Sequence, residues 1–266
     1  MDLATAYRAA RQWVPFSVRT VGYGMMSLTL GPLTRDHAAS LWAMRAWCRS
    51  SCRSLGLDVE VSGLEHVPPG AFLYASNHQS IVDIIVLGAV LTGDYKWAAK
   101  RELLSVPFVG WHLKLAGHVP VERSSGKRAA AEVIGRFEDT LRRGKPLLIF
   151  PEGTRTPDGC LQPFKNGGFY AAVRAAAPVV PVAIEGTYSL MRRGSIAAGT
   201  HERQLVRVKV GAPLPVPVEG RREVERVVAL RDGARSAVLG LLRELGGNTG
   251  PVDPAPPTRE PASPRV

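Results

Sequence analysis

The chain has 266 residues, 45% of them hydrophobic, and a mean hydropathy of -0.01, the profile of a globular protein with ample core for one large domain or two small ones. A formal net charge of +11 and an isoelectric point near 10.1 predict a polyanionic partner: nucleic acid, an anionic membrane surface or a phosphorylated substrate. The three cysteines, Cys48, Cys52 and Cys160, make no C-x-x-C and no paired framework, which excludes a structural zinc site and points to a reducing compartment.

Residues 1–57 read as an N-terminal region of their own, with seven arginines set against Asp2 and Asp36. Met1 to Arg11 shows no charged region leading into a compact apolar core, so no cleavable signal peptide is expected. The uncharged run Thr20 to Thr34 falls short of the roughly 20 residues a spanning helix needs. Gly22, Gly24, Gly31 and Pro32 weaken it further as a helix, and it reads as a segment dipping into one leaflet. A helix then runs from Asp36, as N-cap, to about Leu55. Leu41, Met44, Trp47 and Cys48 form one stripe of it, and Arg45, Arg49 and Arg53 a row on another. It can lie in an anionic membrane interface or pack on the domain as an ordinary amphipathic helix; the apolar run before it favours the membrane.

From Asp58 short apolar runs alternate with helical patterns, as in an α/β domain over residues 58–245. Val59 and Val61 mark a short strand, Pro68-Pro69-Gly70 a turn, and Ala71 to Ser76 a buried strand leading into Asn77-His78-Gln79-Ser80-Ile81-Val82-Asp83. Within one helix, His78 and Asp83 would stand about 140° apart, so they meet only if His78 sits at the helix entry and Asp83 one turn inside. A strand-to-helix junction supplies that geometry. Such a pair suits deprotonation of a hydroxyl near neutral pH, the carboxylate fixing the imidazole tautomer. A structural histidine bonded to a neighbouring carboxylate has the same spacing.

Further along, a helix over residues 81–91 and a strand over 95–98 precede Gly117 to Arg123, a strand ending on an arginine. Ser124-Ser125-Gly126-Lys127 is not a nucleotide-binding loop, because Val121 stands where the first glycine would be and Arg128 where Ser or Thr would hold magnesium. An amphipathic helix follows, with Ala130, Val133, Ile134, Phe137 and Leu141 on one face and Gly144 as its stop. The apolar run Pro146 to Phe150, a strand buried on both faces, delivers Pro151-Glu152-Gly153-Thr154-Arg155. Carboxylate, glycine, hydroxyl and guanidinium at a strand end form a phosphate-recognition grouping; a tight turn in which Glu152 and Arg155 pair with each other is the alternative. A helix from Lys165, a strand over 179–184, an edge strand with one solvated face over 205–210 and a helix over 221–245 complete the domain. Residues 246–266 hold six prolines and read as a disordered tail.

Together these blocks resemble the glycerolipid acyltransferase family. Asn77 to Asp83 matches its His-x4-Asp signature, Phe150 to Arg155 its Phe-Pro-Glu-Gly-Thr-Arg block, Val119 to Arg123 its second block and Val180-Pro181-Val182 its fourth. Asp158-Gly159, Phe164 and Lys165 continue the third block, and the likeness spans residues 58–212. The second block departs from the family by Glu122 before the arginine, and Thr156 replaces a common serine.

The resemblance implies a single domain with a mixed central β-sheet flanked by helices, and an activity like that of the bacterial 1-acylglycerol-3-phosphate acyltransferases. It implies His78 and Asp83 as the catalytic pair, Arg123 and Arg155 as holders of the acceptor phosphate, and Glu152, Gly153 and Thr154 as pocket-shaping residues. The expected partners are a lysophospholipid acceptor, acyl-CoA or acyl-carrier protein as donor, and the phospholipid surface at the cytoplasmic face of the cell membrane. No cofactor beyond the donor and no metal is expected, since no other histidine pairs at metal-ligand spacing. No nucleic acid is expected, because the basic residues are not interleaved with aromatic ones. A covalent route is not required: there is no Gly-x-Ser-x-Gly elbow, and Cys160 reads as an ordinary thiol. An acyltransferase using glycerol-3-phosphate or a lyso-aminolipid, a silent lipid-binding protein of the same fold, and a thioester hydrolase remain the alternatives.

Overall fold

The structure, a computed structural model, describes residues 3–34, 38–121, 126–190, 203–217 and 222–249, with side chains from residue 14 onward except that of Lys127. Seven strands form one sheet in the order β1-β7-β6-β2-β5-β3-β4. They are β1 (Leu57–Ser62), β2 (Leu73–Ser76), β3 (Lys96–Lys100), β4 (Val119–Val121), β5 (Leu147–Ile149), β6 (Val179–Glu185) and β7 (Gln204–Val210). Every pairing is parallel except β6 with β7, so the sheet is mixed.

The central strands read as continuous apolar runs because helices cover both of their faces. Leu73, Ala75, Leu147, Ile149, Val179 and Ala183 point into a cluster shared with α5 (Lys127–Arg142), α6 (Gly167–Arg174) and α7 (Glu223–Glu244). Tyr74, Leu148, Val180, Val182 and Ile184 point into a second cluster on the other side, shared with α2 (Ala38–Ser54) and α3 (Val82–Val90). The period of two along each strand divides the residues between these layers.

Three expectations need correction. The stretch Thr20 to Thr34 does not break at Gly22 or Gly24: α1 (Leu3–Leu30) is one helix that includes Pro15, and it gives way only at Gly31–Leu33, a 3₁₀ turn. Packing overrides propensity there, because Phe16 lies against Trp47, Thr20 Oγ1 accepts from Trp47 Nε1 at 3.0 Å, and Ser27 Oγ meets His112 Nδ1 of α4 (Val109–Leu115) at 2.7 Å. The apolar stripe of α2 is core rather than lipid-facing: Met44, Cys48 and Cys52 are buried against α3 and the sheet, and Leu41 and Trp47 pack beside them. Arg45 and Arg49 of its basic row donate to the carbonyls of Gly93 and Ala89, where α3 ends. Finally, β7 is not an edge strand, since it pairs with both β1 and β6 and leaves β1 at the edge; its alternation comes from one solvated face alone.

The predicted N-cap Asp36, the second-block Arg123 and residues 250–266 of the Pro-rich tail lie outside the described residues.

Candidate active site

Three neighbouring strands, β6, β2 and β5, deliver their following turns to one edge of the sheet. For the parallel β2, β5 and β6 this is the carboxyl edge, where ligands bind in open α/β sheets. The turn after β2 is pinned on every side. Asn77 extends the strand with its side chain, its Nδ2 donating to Ile184 O at 2.9 Å while its Oδ1 accepts from Ile184 N at 2.8 Å. That amide reproduces one further step of sheet pairing and turns the chain toward α3.

His78 and Asp83 meet as the spacing requires. His78 Nδ1 lies 2.8 Å from Asp83 Oδ2, and the same oxygen accepts the backbone N–H groups of Gln79 at 2.7 Å and Ser80 at 2.8 Å. Asp83 therefore closes the first turn of α3 as well as holding the imidazole. Because Nδ1 faces an acceptor it carries the proton, and Nε2 is left with a lone pair and no partner among the described residues. Phe150, at the end of β5, stacks on the imidazole with ring centroids 3.9 Å apart and 14° between planes, which removes the remaining rotation.

The third block clamps the same peptide from below. Glu152 Oε1 accepts from His78 N at 2.7 Å and Oε2 from Gln162 N at 3.1 Å, while Thr156 N donates to His78 O at 2.8 Å. Burial pushes the Glu152 carboxyl up to about 8, against the two N–H groups that pull it down. Glu152 and Arg155 thus do not pair, contrary to the tight-turn alternative. Arg155 is half-buried and, like Thr154, makes no hydrogen bond or ion pair with a described residue. Gly153 holds φ at +74°, and its missing Cβ leaves room for the Lys165 Nζ, which would stand 2.6 Å from it. Two cationic side chains, Lys165 and Arg155, therefore belong to the third-block turn that clamps His78. No group of three or more His, Cys, Asp or Glu able to hold a metal occurs among the described residues.

Reasoning from the sequence missed Phe150 as the ring under the base, Thr156 as the second clamp, and Thr187. Phe150 and Thr156 flank or sit inside the quoted third block and could have been tried as partners of His78. Thr187 follows β6 and carried no local signal.

Residues 58–185 match the protein family described as Acyltransferase. Over 187 residues the chain is 33% identical to the 1-acyl-sn-glycerol-3-phosphate acyltransferase of Pseudomonas aeruginosa, covering 69% of this chain and 72% of that one. Over 227 residues it is 29% identical to the enzyme of the same name from Saccharomyces cerevisiae, covering 84% and 73%. The crystal structure of the 1-acyl-sn-glycerophosphate acyltransferase from Thermotoga maritima superposes with a TM-score of 0.75 at 27% identity, over 92% of this chain and 98% of that one. With the His-x4-Asp pair formed and the third block clamped beneath it, the chain belongs to the acyltransferase family that includes these enzymes.

Proposed function

We propose that the protein transfers a fatty acyl group from acyl-CoA or acyl-carrier protein to the sn-2 hydroxyl of 1-acylglycerol-3-phosphate, giving phosphatidic acid. The observation that carries this reading is the His78–Asp83 pair, with Nδ1 engaged and Nε2 unpartnered among the described residues. Nε2 takes the proton of the acceptor hydroxyl as its oxygen attacks the thioester carbonyl. The tetrahedral intermediate then expels the thiolate, which takes the proton back from the imidazolium. Atoms and charges balance without a covalent enzyme intermediate, a metal or a further cofactor.

Recognition of the acceptor falls to the cations beside this base. Arg155 and Lys165 line the third-block turn, Gly153 and Thr154 give a phosphate close approach to the backbone, and Arg123 of the second block completes the set. The Glu152 carboxyl group, committed to two backbone N–H groups, shapes the pocket by holding His78 rather than by touching substrate.

A bilayer surface supplies the acceptor, and α1 is the element suited to it. No helix of the described residues is long and apolar enough to cross a membrane. Val14, Val18, Val21 and Met25 nevertheless lie exposed at helical spacing along α1, with Trp42 exposed on α2. A groove lined by Tyr23, Trp42, Arg45, Arg49 and Arg53 runs beside them, so apolar and cationic surfaces adjoin as an anionic leaflet at the cytoplasmic face requires.

The deciding measurement is thiol release from acyl-CoA by the full chain on vesicles, with and without lysophosphatidic acid, beside His78→Ala. Acceptor-dependent release that the variant abolishes is the expected result. Release that ignores the acceptor identifies a hydrolase, and release only with another lysolipid reassigns the substrate.

A further inference from the structure

Asp83 has a second oxygen, and a residue outside all four blocks occupies it. Thr187 Oγ1 donates to Asp83 Oδ1 at 2.5 Å, from a side chain that is 0% exposed. We propose that Thr187 is a positioning residue for the acyl transfer: its hydroxyl fixes the rotation and the charge distribution of the carboxylate that orients His78. The inference rests on the reading of His78 as the base.

The geometry leaves the hydroxyl little other use. Its one hydrogen has two acceptors in reach, Asp83 Oδ1 at 2.5 Å and Gln79 Oε1 at 3.3 Å, and the charged, nearer oxygen takes it. Gln79 in turn donates through Nε2 to Glu185 Oε2 at 2.9 Å, which holds the amide with its oxygen toward Thr187. Without Thr187, Oδ2 would still carry three donors, but Oδ1 would keep no partner among the described residues and the carboxylate could turn about χ2. A turn of that kind moves Oδ2 off the His78 Nδ1–H axis, and the imidazole loses its reason to present Nε2 unprotonated.

The delivery of Thr187 is also built rather than incidental. The chain leaves β6 through Gly186 at φ +94°, where a Cβ would run into the backbone carbonyl of Leu205 on the neighbouring β7. Glycine is required for that close passage. The next residue is thereby dropped beneath the β2–α3 turn instead of continuing along the sheet. As a β-branched side chain, Thr187 has few χ1 alternatives once its methyl is buried.

The test compares Thr187→Val, which keeps the shape and removes the hydroxyl, with Thr187→Ser, which keeps the hydroxyl and removes the methyl. Both are assayed on vesicles as full chains of matched thermal midpoint, with His78→Ala alongside. Loss of one hydrogen bond to a buried charge is expected to lower kcat of Thr187→Val about tenfold, with KM for donor and acceptor within about twofold. The acidic limb of its kcat profile moves to lower pH, because a carboxylate turned off the Nδ1–H axis stabilises the imidazolium less. The other titratable groups near that carboxylate, Glu152 across the turn and Glu185 through Gln79, are unchanged between the variants. Thr187→Ser restores most of kcat and the limb. Wild-type kcat and profile in Thr187→Val, or a Thr187→Ser as slow as Thr187→Val, overturns the inference. Either result beside an inactive His78→Ala leaves the base reading standing, whereas an active His78→Ala removes the base and this inference together.

Discussion

The turn after β2 and helix α1 sit at opposite extremes of internal satisfaction. In the turn, His78 is held by its N–H, its C=O and one ring face from the segment after β5, and by one ring nitrogen from α3. Along the described part of α1, polar side chains tie the helix to α2 and α4, but a stripe of valines and Met25 is exposed among the described residues. Chemistry that needs sub-ångström placement is surrounded by protein; contact with a fluid surface needs only an apolar face and charge. Between them, α2 resembles α1 in composition and belongs with the core.

The largest effect should come from the turn. Asp83→Asn leaves the packing near native but presents an amide to Nδ1 and lets the wrong tautomer form, so kcat should fall by about 10³–10⁴ with the fold retained. Measured kcat on vesicles checks this, and near-normal turnover would mean the pair is structural. Next is Glu152→Gln, whose amide can accept only one of the two buried N–H groups and opposes the other with a donor. A loss of about 1–3 kcal/mol is expected by denaturant unfolding. The same residue sets a pH slope. Its carboxyl is raised from 4.5 to about 8 in the folded state, so its contribution to stability is full below pH 4.5 and lost as pH rises to about 8. The Glu152→Gln variant should lack that slope.

On the other side of the comparison, Val18→Asp with Met25→Asp should weaken vesicle binding about tenfold or more while leaving the thermal midpoint unchanged, because neither side chain is core. Removal of residues 1–57 is the wrong experiment, since it strips Met44, Cys48 and Cys52 from the core and would unfold the domain. Unchanged vesicle binding by the double variant would assign the membrane contact elsewhere. A smaller effect concerns how α1 is docked. Burial, with Lys96 nearby, lowers His112 from 6.5 to about 4, so its contribution is present above pH 6.5 and lost as pH falls to about 4. Hydrogen exchange in α1 should therefore rise over that window, and Ser27→Ala should reproduce part of it at neutral pH. The smallest effect expected is Cys160→Ala, where turnover should stay within about twofold because no step uses the thiol.

What the sequence alone settled was local: the alternation of strands and helices, the runs buried on both faces, and the meeting of His78 with Asp83 five residues on. Each depends on spacing along a few residues, where backbone geometry leaves few choices. The clamp of Glu152 on His78 and the hydroxyl of Thr187 on Asp83 join residues 74 and 104 apart, and no local pattern encodes which strand will lie beside which. The same holds for the N-terminal helices. Two stripes with similar composition met different fates because α3 and the sheet cover one and none of the described residues buries the other. A side chain's periodicity defines a face, and only the tertiary neighbours decide whether that face is core, site or surface.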